Sequence, residues 1–433
     1  MPAAPAAPAA ADTLLRAAIE YGTPAYVYDL GRVRAAAACL RSALPPEVRV
    51  RYSVKANPAG EVCRAIAEAG LGAEVSSAGE LRTAIEAGFA AERILVSGPY
   101  KEPELLARLA GMPAALISVD SVSELAQLAA APSGRRHPVL LRLRPDYPVP
   151  GQMPAGPAPR FGIPLAELPA AAPLLRQLRC AGFHVHGGSQ ILDPAQAARQ
   201  LHDASALAVR AAGLLGLTPA MLNLGGGFGV PCSPGDGGLD LGPAASTLMS
   251  MISGFPGVAV TLELGRYLVA EAGWYLTAVV HRQSHGDGPA VVVDGGVHHR
   301  PDLCGLGLAC HGAGPALLGS HRPGQAAVDG RARGLRVATA VLGCLCLPSD
   351  VLAYAAELPE LHAGDILAFP SAGAYGLTAA PAAFLGHRLP AEISMDGGKL
   401  ALLPPPRLLP PAPWQRAPSR SRQPRQALRA GRP

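Results

Sequence analysis

One pattern dominates the chain: a short apolar run, a loop, an amphipathic stretch, then the next apolar run. Strands are predicted over Val50–Lys55, Ala73–Ser77, Ile94–Gly98, Ala115–Asp120, Val139–Arg144, Gly182–Gly188, Met221–Gly226 and Val258–Arg266. Between them, helical periodicity marks Gly60–Ala69, Gly79–Ala87, Pro103–Leu109, Val122–Ala129, Leu165–Leu178, Pro194–Gly213 and Leu241–Ser253. Eight such units in about 220 residues have the count and size of a closed (β/α)8 barrel. A doubly wound sheet also alternates strands with helices. Here, however, unusual polar residues fall at the C-terminal end of nearly every run, and only a closed barrel gathers those ends at one mouth.

After Gly273 the rhythm changes to alternating strands without long helices: Trp274–Arg282, Ala290–Asp294, Leu335–Leu342 and Ile366–Pro370. The predicted fold class is therefore α/β, a TIM-type (β/α)8 barrel followed by an all-β C-terminal domain. Residues 31–270 are assigned to the barrel. Residues 12–30, with the alternating AYVYDL run, and residues 271–403 are assigned to the β-domain. Asp12 is placed to cap a helix ending at Tyr21. The Ala/Pro-rich segment 1–11 and the Pro/Arg-rich segment 404–433 are read as disordered flanks.

A hydrophobic content of 49% against 16% charged residues fits a globular protein. The net charge of +5 is misleading, because seven arginines and no acid follow Pro404. Without those seven the balance is −2, so the folded body offers no nucleic-acid surface. No apolar run is long enough to span a bilayer, and no basic region precedes an apolar core at the N-terminus. The eight cysteines have no framework spacing, and Cys344 and Cys346 lie too close together for a zinc knuckle. These features predict reduced thiols and a cytoplasmic protein.

The strand ends carry the chemistry. Lys55 closes the first barrel strand ahead of Asn57-Pro58. Among apolar neighbours its amine is expected to lose a proton readily and act as a nucleophile or Schiff-base former. Gly225, Gly226 and Gly227 follow the seventh strand, where barrels commonly bind phosphate on exposed N–H groups. Arg266, ending the eighth strand, can join the same anion, while Glu263 can hold a proton on a heterocyclic nitrogen. His184 and His186 alternate on the sixth strand and share a face, as Arg142 and Arg144 do on the fifth. A metal pair lacks a carboxylate at suitable sequence spacing, so an imidazole stacked on a planar ring, with Ser189 on a phosphate, fits better. Lysine, phosphate cradle, stacking ring and ring-nitrogen carboxylate together describe pyridoxal 5′-phosphate.

The chain here resembles the fold-type III pyridoxal-phosphate decarboxylases, the family of diaminopimelate and ornithine decarboxylases. The resemblance covers about residues 24–395, through YSVKANP (52–58), EVSSAGEL (74–81), RFGI (160–163), GFHVHGGSQ (182–190), LGGGFG (224–229), ELGR (263–266), DGG (294–296), GCLCLPSD (343–350) and GAYG (373–376). It implies an obligate homodimer with active sites at the interface. It further implies Lys55 as the Schiff-base lysine and His186 as the ring-stacking residue. Ser189, Gly225, Gly226, Gly227 and Arg266 would form the phosphate site, with Glu263 on the pyridine nitrogen and Tyr375 as a further cofactor contact. Cys346 would reach across from the neighbouring subunit as proton donor, with Asp350 near it at the far end of the substrate.

The departures point to a substrate other than ordinary diaminopimelate. Cys346-Leu347-Pro348 replaces the family's Cys-Glu-Ser and so removes a carboxylate. The stretches 294–302 and 373–387 resemble a side branch from antibiotic, siderophore and exopolysaccharide gene clusters, some of whose members act on amino acids tethered to an acyl-carrier protein. The expected activity is α-decarboxylation of an amino acid, free or carrier-bound. An amino-acid racemase on the same scaffold and a catalytically inactive regulatory homologue are the alternatives. Residues 297–334, rich in Gly, His and Pro, carry no assignment beyond a loop over the mouth.

Overall fold

A computed structural model of the chain describes residues 8–131, 137–149, 151, 160–233, 235–286, 288–305, 314–320, 328–329 and 335–406. A helix over Pro8–Tyr21 precedes strand β1 (Ala25–Asp29). The barrel follows: β2 (Arg49–Ser53), β3 (Gly72–Val75), β4 (Ile94–Val96), β5 (Leu116–Val119), β6 (Pro138–Leu143), β7 (Arg179–Val185), β8 (Met221–Gly226) and β9 (Ala259–Leu264). These eight strands pair in sequence order, and β9 closes on β2 in parallel with Arg51 opposite Glu263. Helices cover the outside, so both strand faces are buried. This is why Ile94, Leu95 and Val96 form a continuous apolar run with no exposed residue.

The loops at the mouth are tied down by helix caps. Ser77 accepts the Glu80 N–H at 3.1 Å, and the Glu80 carboxylate accepts the Ser76 N–H at 2.6 Å. Ser121, Glu124 and Asp120 repeat the arrangement after β5, at 3.1 and 2.7 Å. Each reciprocal cap satisfies donors that a helix start would leave open, and thereby fixes the angle at which the strand-end residues meet the mouth.

The second unit is a ten-stranded sheet. It contains β10 (Gly273–His285), β11 (Gly288–Val293), β12 (Ala316–Ser320), β13 (Val328–Asp329), β14 (Arg336–Leu342), β15 (Val351–Pro359), β16 (Asp365–Phe369), β17 (Ala391–Asp396) and β18 (Lys399–Leu402). As expected for AYVYDL, β1 lies inside this sheet, antiparallel to β10 and parallel to β17. The N-terminal helix packs on it through Leu14, Ala17 and Ala18 against Val27, Trp274, Leu276 and Ile393.

Several local expectations change. The first helix starts at Pro8, so residues 8–11 are helical; residues 1–7 and 407–433 of the predicted flanks lie outside the described residues. The helix predicted over Leu165–Leu178 is broken into a 3₁₀ segment, Leu165–Ala171, and one short turn, Ala172–Leu175. Pro169 and Pro173 account for the break, since neither can donate a helical N–H. Cys232 is disulfide-bonded, against the expectation of uniformly reduced thiols, while six other cysteines are free. Within the unassigned stretch 297–334, residues 306–313, 321–327 and 330–334 lie outside the description. No helix among the described residues is long and apolar enough to cross a membrane.

Candidate active site

Lys55 sits two residues past β2, in the 3₁₀ turn Val54–Ala56 that the following Asn57-Pro58 ends. Its Nζ donates to Glu74 Oε2 at 3.0 Å, and about half of its side chain, 49%, is exposed at the mouth. Glu74, at the end of the neighbouring β3, is almost wholly buried and also accepts from Ser97 and Ser76 through Oε1. Burial works against the charge of Lys55, but the facing Glu74 carboxylate outweighs it, and Tyr375 and Glu263 add to the effect. The amine is thus held above its ordinary value. Burial likewise opposes the Glu74 charge, and Lys55 and Ser97 hold the carboxyl below its usual range in return. This corrects the expectation of an easily deprotonated lysine: Glu74 keeps the proton on Lys55 and is the nearest base to receive it.

Glu263 is the penultimate residue of β9, next to β2 in the closed barrel. Its Oε1 accepts from Asn223 Nδ2 at 2.6 Å and lies 3.5 Å from His184 Nε2. Burial raises its carboxyl, and the like charge of Glu74 pushes the same way. His184 is buried, and its Nδ1 pairs with Ser118 Oγ at 2.7 Å. Burial drives its pKa well below the ordinary imidazole value. His186 follows at the mouth, and burial lowers it to about 4, so it is neutral at physiological pH. Among the described residues, His184 Nε2 and His186 Nδ1 have no hydrogen-bond partner.

Both histidines therefore face the mouth, as the strand alternation predicts, but the argument that no carboxylate accompanies them fails. Donor atoms of His184, His186 and Glu263 lie within 4.8 Å of one another. Chain separation hid the third group, which arrives from the strand two places along the barrel.

The glycine triplet is demanded by packing. A Cβ on Gly226 would stand 2.0 Å from the Glu263 carbonyl oxygen, and one on Gly227 would stand 2.5 Å from that of Gly188. Gly225 has φ +65, and a Cβ there would reach 2.8 Å from His186 Nδ1. The backbone at this corner thus runs against His186 and beside the Gly188-Ser189 turn. Ser189 itself is half-buried at that turn. Arg266, just past β9, is buried, and its guanidinium lies 4.9 Å from the centroid of the Tyr375 ring. Tyr375 comes from the β-domain. Its N–H donates to the Ala56 carbonyl at 2.7 Å, and Asn57 Nδ2 donates to the Gly373 carbonyl at 2.9 Å. These two bonds bind the 373–376 turn to the Lys55 turn. Tyr375 has φ +53, a strained value for a bulky residue and of the kind that accumulates at binding sites.

Cys346 is an exposed free thiol on the loop after β14. Asp350, expected at the far end of the substrate, accepts two backbone N–H groups. It is buried, its Oδ1 accepts the Val297 N–H at 2.7 Å, and its Oδ2 accepts the Leu345 N–H at 2.7 Å. Both oxygens are committed to backbone, so the carboxylate clamps the Cys346 loop to the segment after Asp294-Gly295-Gly296. Arg142 pairs with Asp120 at 3.2 Å and lies over Phe161, so it does not point freely into the mouth. Glu74, Ser97 and Asn223 are site residues that motif reading passed over. Their signals were present, Glu74 opening EVSSAGEL and Asn223 standing two residues before the glycines.

The set fits an anionic, aromatic aldehyde. An amine stands beside a base that can take its proton, a neutral imidazole has an unpartnered nitrogen, a buried carboxyl is raised by burial, and a side-chain-free backbone corner lies against it. A groove of about 580 Å³ opens from Lys55 and Tyr375 past Ser77 and Glu80 to Pro404.

Comparison with known proteins agrees. Residues 30–270 match the family model described as pyridoxal-dependent decarboxylase, pyridoxal binding domain. The chain is 32% identical over 395 residues to the L-glutamyl-[BtrI acyl-carrier protein] decarboxylase of Niallia circulans, covering 88% of this chain and 91% of that protein. It is 37% identical over 376 residues to the diaminopimelate decarboxylase of Actinosynnema pretiosum subsp. auranticum, covering 83% and 80%. A crystal structure of diaminopimelate decarboxylase superposes with a TM-score of 0.75 at 26% identity, covering 90% of this chain and 93% of that one. The chain belongs to the pyridoxal-dependent decarboxylases, enzymes built on a barrel of this kind with an appended β-domain.

Proposed function

We infer that this chain removes the α-carboxylate of an amino acid as CO2, using pyridoxal phosphate held at Lys55. The observation that carries this reading is the meeting of the Lys55 amine and the buried Glu263 carboxyl on adjacent strands of one barrel mouth, with the glycine corner beside them.

When bound, pyridoxal phosphate supplies an aldehyde for covalent attachment and an electron-poor ring that takes up the electron pair left by CO2. Glu74 takes the proton from Lys55 Nζ that attachment requires, and Ser97 and Ser76 steady the carboxylate meanwhile. Neutral His186 offers its face to the ring. Glu263 holds a proton at the ring nitrogen, a cationic partner that offsets the burial now raising its carboxyl. Gly225 to Gly227, Ser189 and Arg266 hold the phosphate, and Tyr375 backs the arginine. Cys346 delivers the proton to Cα after CO2 departs, from the neighbouring copy in a homodimer. Its thiol is exposed, as are Leu347, Tyr354 and Phe384 around the β-domain, which supports an interface there.

The substrate is an amino acid. Its carrier-bound form is favoured by Leu347, which leaves no carboxylate beside Cys346 to anchor a distal ammonium group, and by the likeness to the carrier-protein decarboxylase. Purified protein is to be supplied with free amino acids and with aminoacyl carrier-protein thioesters, and CO2 and products read by mass spectrometry. The reading requires amine formation with CO2 release. Racemised substrate without CO2, or no turnover with either class, would overturn it.

A further inference from the structure

Asn223 is buried, one strand away from Glu263, and both ends of its amide are in use. Its Oδ1 accepts the Gly225 N–H at 3.0 Å, and its Nδ2 donates to Glu263 Oε1 at 2.6 Å. A carbonyl oxygen alone can accept an N–H, so the first bond fixes which way the amide points, and the second donor necessarily faces Glu263. His184 Nε2 lies 3.5 Å from the same oxygen. Both groups therefore lie on Oε1. The side chain spans the glycine corner and the carboxylate, the two features read above as the phosphate and ring-nitrogen ends of one cofactor site.

We propose that Asn223 is a positioning residue that sets the orientation and charge of Glu263 and keys both to the shape of the Gly225 turn. The proposal rests on the cofactor reading above and deepens it. An amide is the side chain of this size that donates to Glu263 and accepts from Gly225 without itself ionising. Aspartate is its isostere, and at 2.6 Å from Glu263 an aspartate makes a carboxylate pair that must share one proton. With that proton the pair reproduces the native hydrogen bond; without it, two anions face each other. The other charged and titratable groups facing Glu263 are Arg51 and Lys55 from β2 and its turn, Glu74 from β3, and His184 and His186 from β7. None of these is altered in the variants.

The test compares wild type, Asn223→Asp and Asn223→Ala as cofactor-free proteins, with melting curves to establish that each folds. Pyridoxal phosphate affinity is then measured by equilibrium dialysis from pH 6 to 9. Each affinity is expressed as a ratio to wild type at the same pH, which cancels titration of the cofactor and of Lys55. Asn223→Ala binds more weakly by about tenfold or more at every pH, the loss of a hydrogen bond to a charged group. Asn223→Asp stays within about threefold of wild type at pH 6 and falls to about tenfold or more below it at pH 9. Adding Glu263→Gln to Asn223→Asp removes the second carboxyl, and with it the pH-dependence. A flat ratio for Asn223→Asp, or full affinity in Asn223→Ala, overturns the proposal. If Asn223→Ala does not fold, the aspartate pair decides alone. Wild-type protein that binds no cofactor at all refutes the underlying cofactor reading instead, so the two failures are distinguishable.

Discussion

Replacing Glu74 by glutamine probes the pairing that controls Lys55. The amine and carboxylate are 3.0 Å apart, with the carboxylate buried and the amine about half exposed. Two unit charges at that distance attract by roughly 5 kcal/mol at an effective dielectric near 20. Water on the exposed half of the lysine reduces this to about 2 kcal/mol. Glutamine keeps the shape and can still accept from Ser97, but it carries no charge. Because Glu74 is what raises Lys55 against the pull of burial, its neutralisation lowers the amine by about 1.5 pH units. The assay is the pH-dependence of Lys55 modification in cofactor-free protein, by reductive methylation followed by peptide mass spectrometry. The midpoint in Glu74→Gln should move down by that amount, with faster labelling near neutrality. A midpoint that stays in place, or rises, refutes the assignment of Glu74 as the group that holds the proton on Lys55.

Further outcomes follow from the same geometry. Cys346→Ala should retain cofactor binding and its absorbance band while amine formation falls by orders of magnitude; undiminished turnover would remove the proton-donor role. Asp350→Ala strips the acceptor from one buried and one part-buried N–H and should cost about 1–3 kcal/mol of stability in denaturant titrations, with faster hydrogen exchange at Val297 and Leu345. Gly226→Ala drives a Cβ to 2.0 Å from the Glu263 carbonyl and should abolish cofactor binding or folding, whereas Gly235→Ala, with nothing within 4 Å, should melt like wild type. His299 is buried, hydrogen-bonded to Tyr275, and lowered by burial to about 3. The unfolded chain takes up a proton there near pH 6.5 that the native state refuses, so this site's share of stability is lost as pH falls from 6.5 toward 3. His299→Asn should remove that slope, about 1.4 kcal/mol per pH unit, from the difference between the two stability curves.

The barrel was legible because its strands are buried on both faces and each is punctuated by a loop and an amphipathic helix, a pattern that runs through consecutive residues. Most of the proposed site was legible for a related reason: the glycine corner and Glu263 stand at strand ends and Lys55 in the turn after one, and strand ends share one mouth. The misreadings have physical causes as well. Lys55 was expected to be readily deprotonated because its sequence neighbours are apolar, but the group that governs it, Glu74, stands on the next strand. The bond from Asn223 to Glu263 joins β8 to β9 across 40 residues, and no spacing rule reveals it. Asp350 lies near Cys346 in sequence, but its part in holding that loop could not be read there. Only its two backbone partners, one of them 53 residues away, show that it holds the loop. In the β-domain, β12, β13, β15, β17 and β18 were missed. Strands in a large mixed sheet owe their existence to non-local partners more than to local pattern, and β17 pairs with β1 across most of the chain.

The central claim is that one particular amine, that of Lys55, carries the cofactor. Borohydride reduction of protein loaded with pyridoxal phosphate, followed by digestion and mass spectrometry, reads this directly. The account predicts a pyridoxyl-phosphate label confined to the peptide containing Lys55 and lost in Lys55→Ala, whose solution should lack the absorbance band of the bound aldehyde. A label on Lys101 or Lys399 with Lys55 unmodified, or an unlabelled protein, would contradict it.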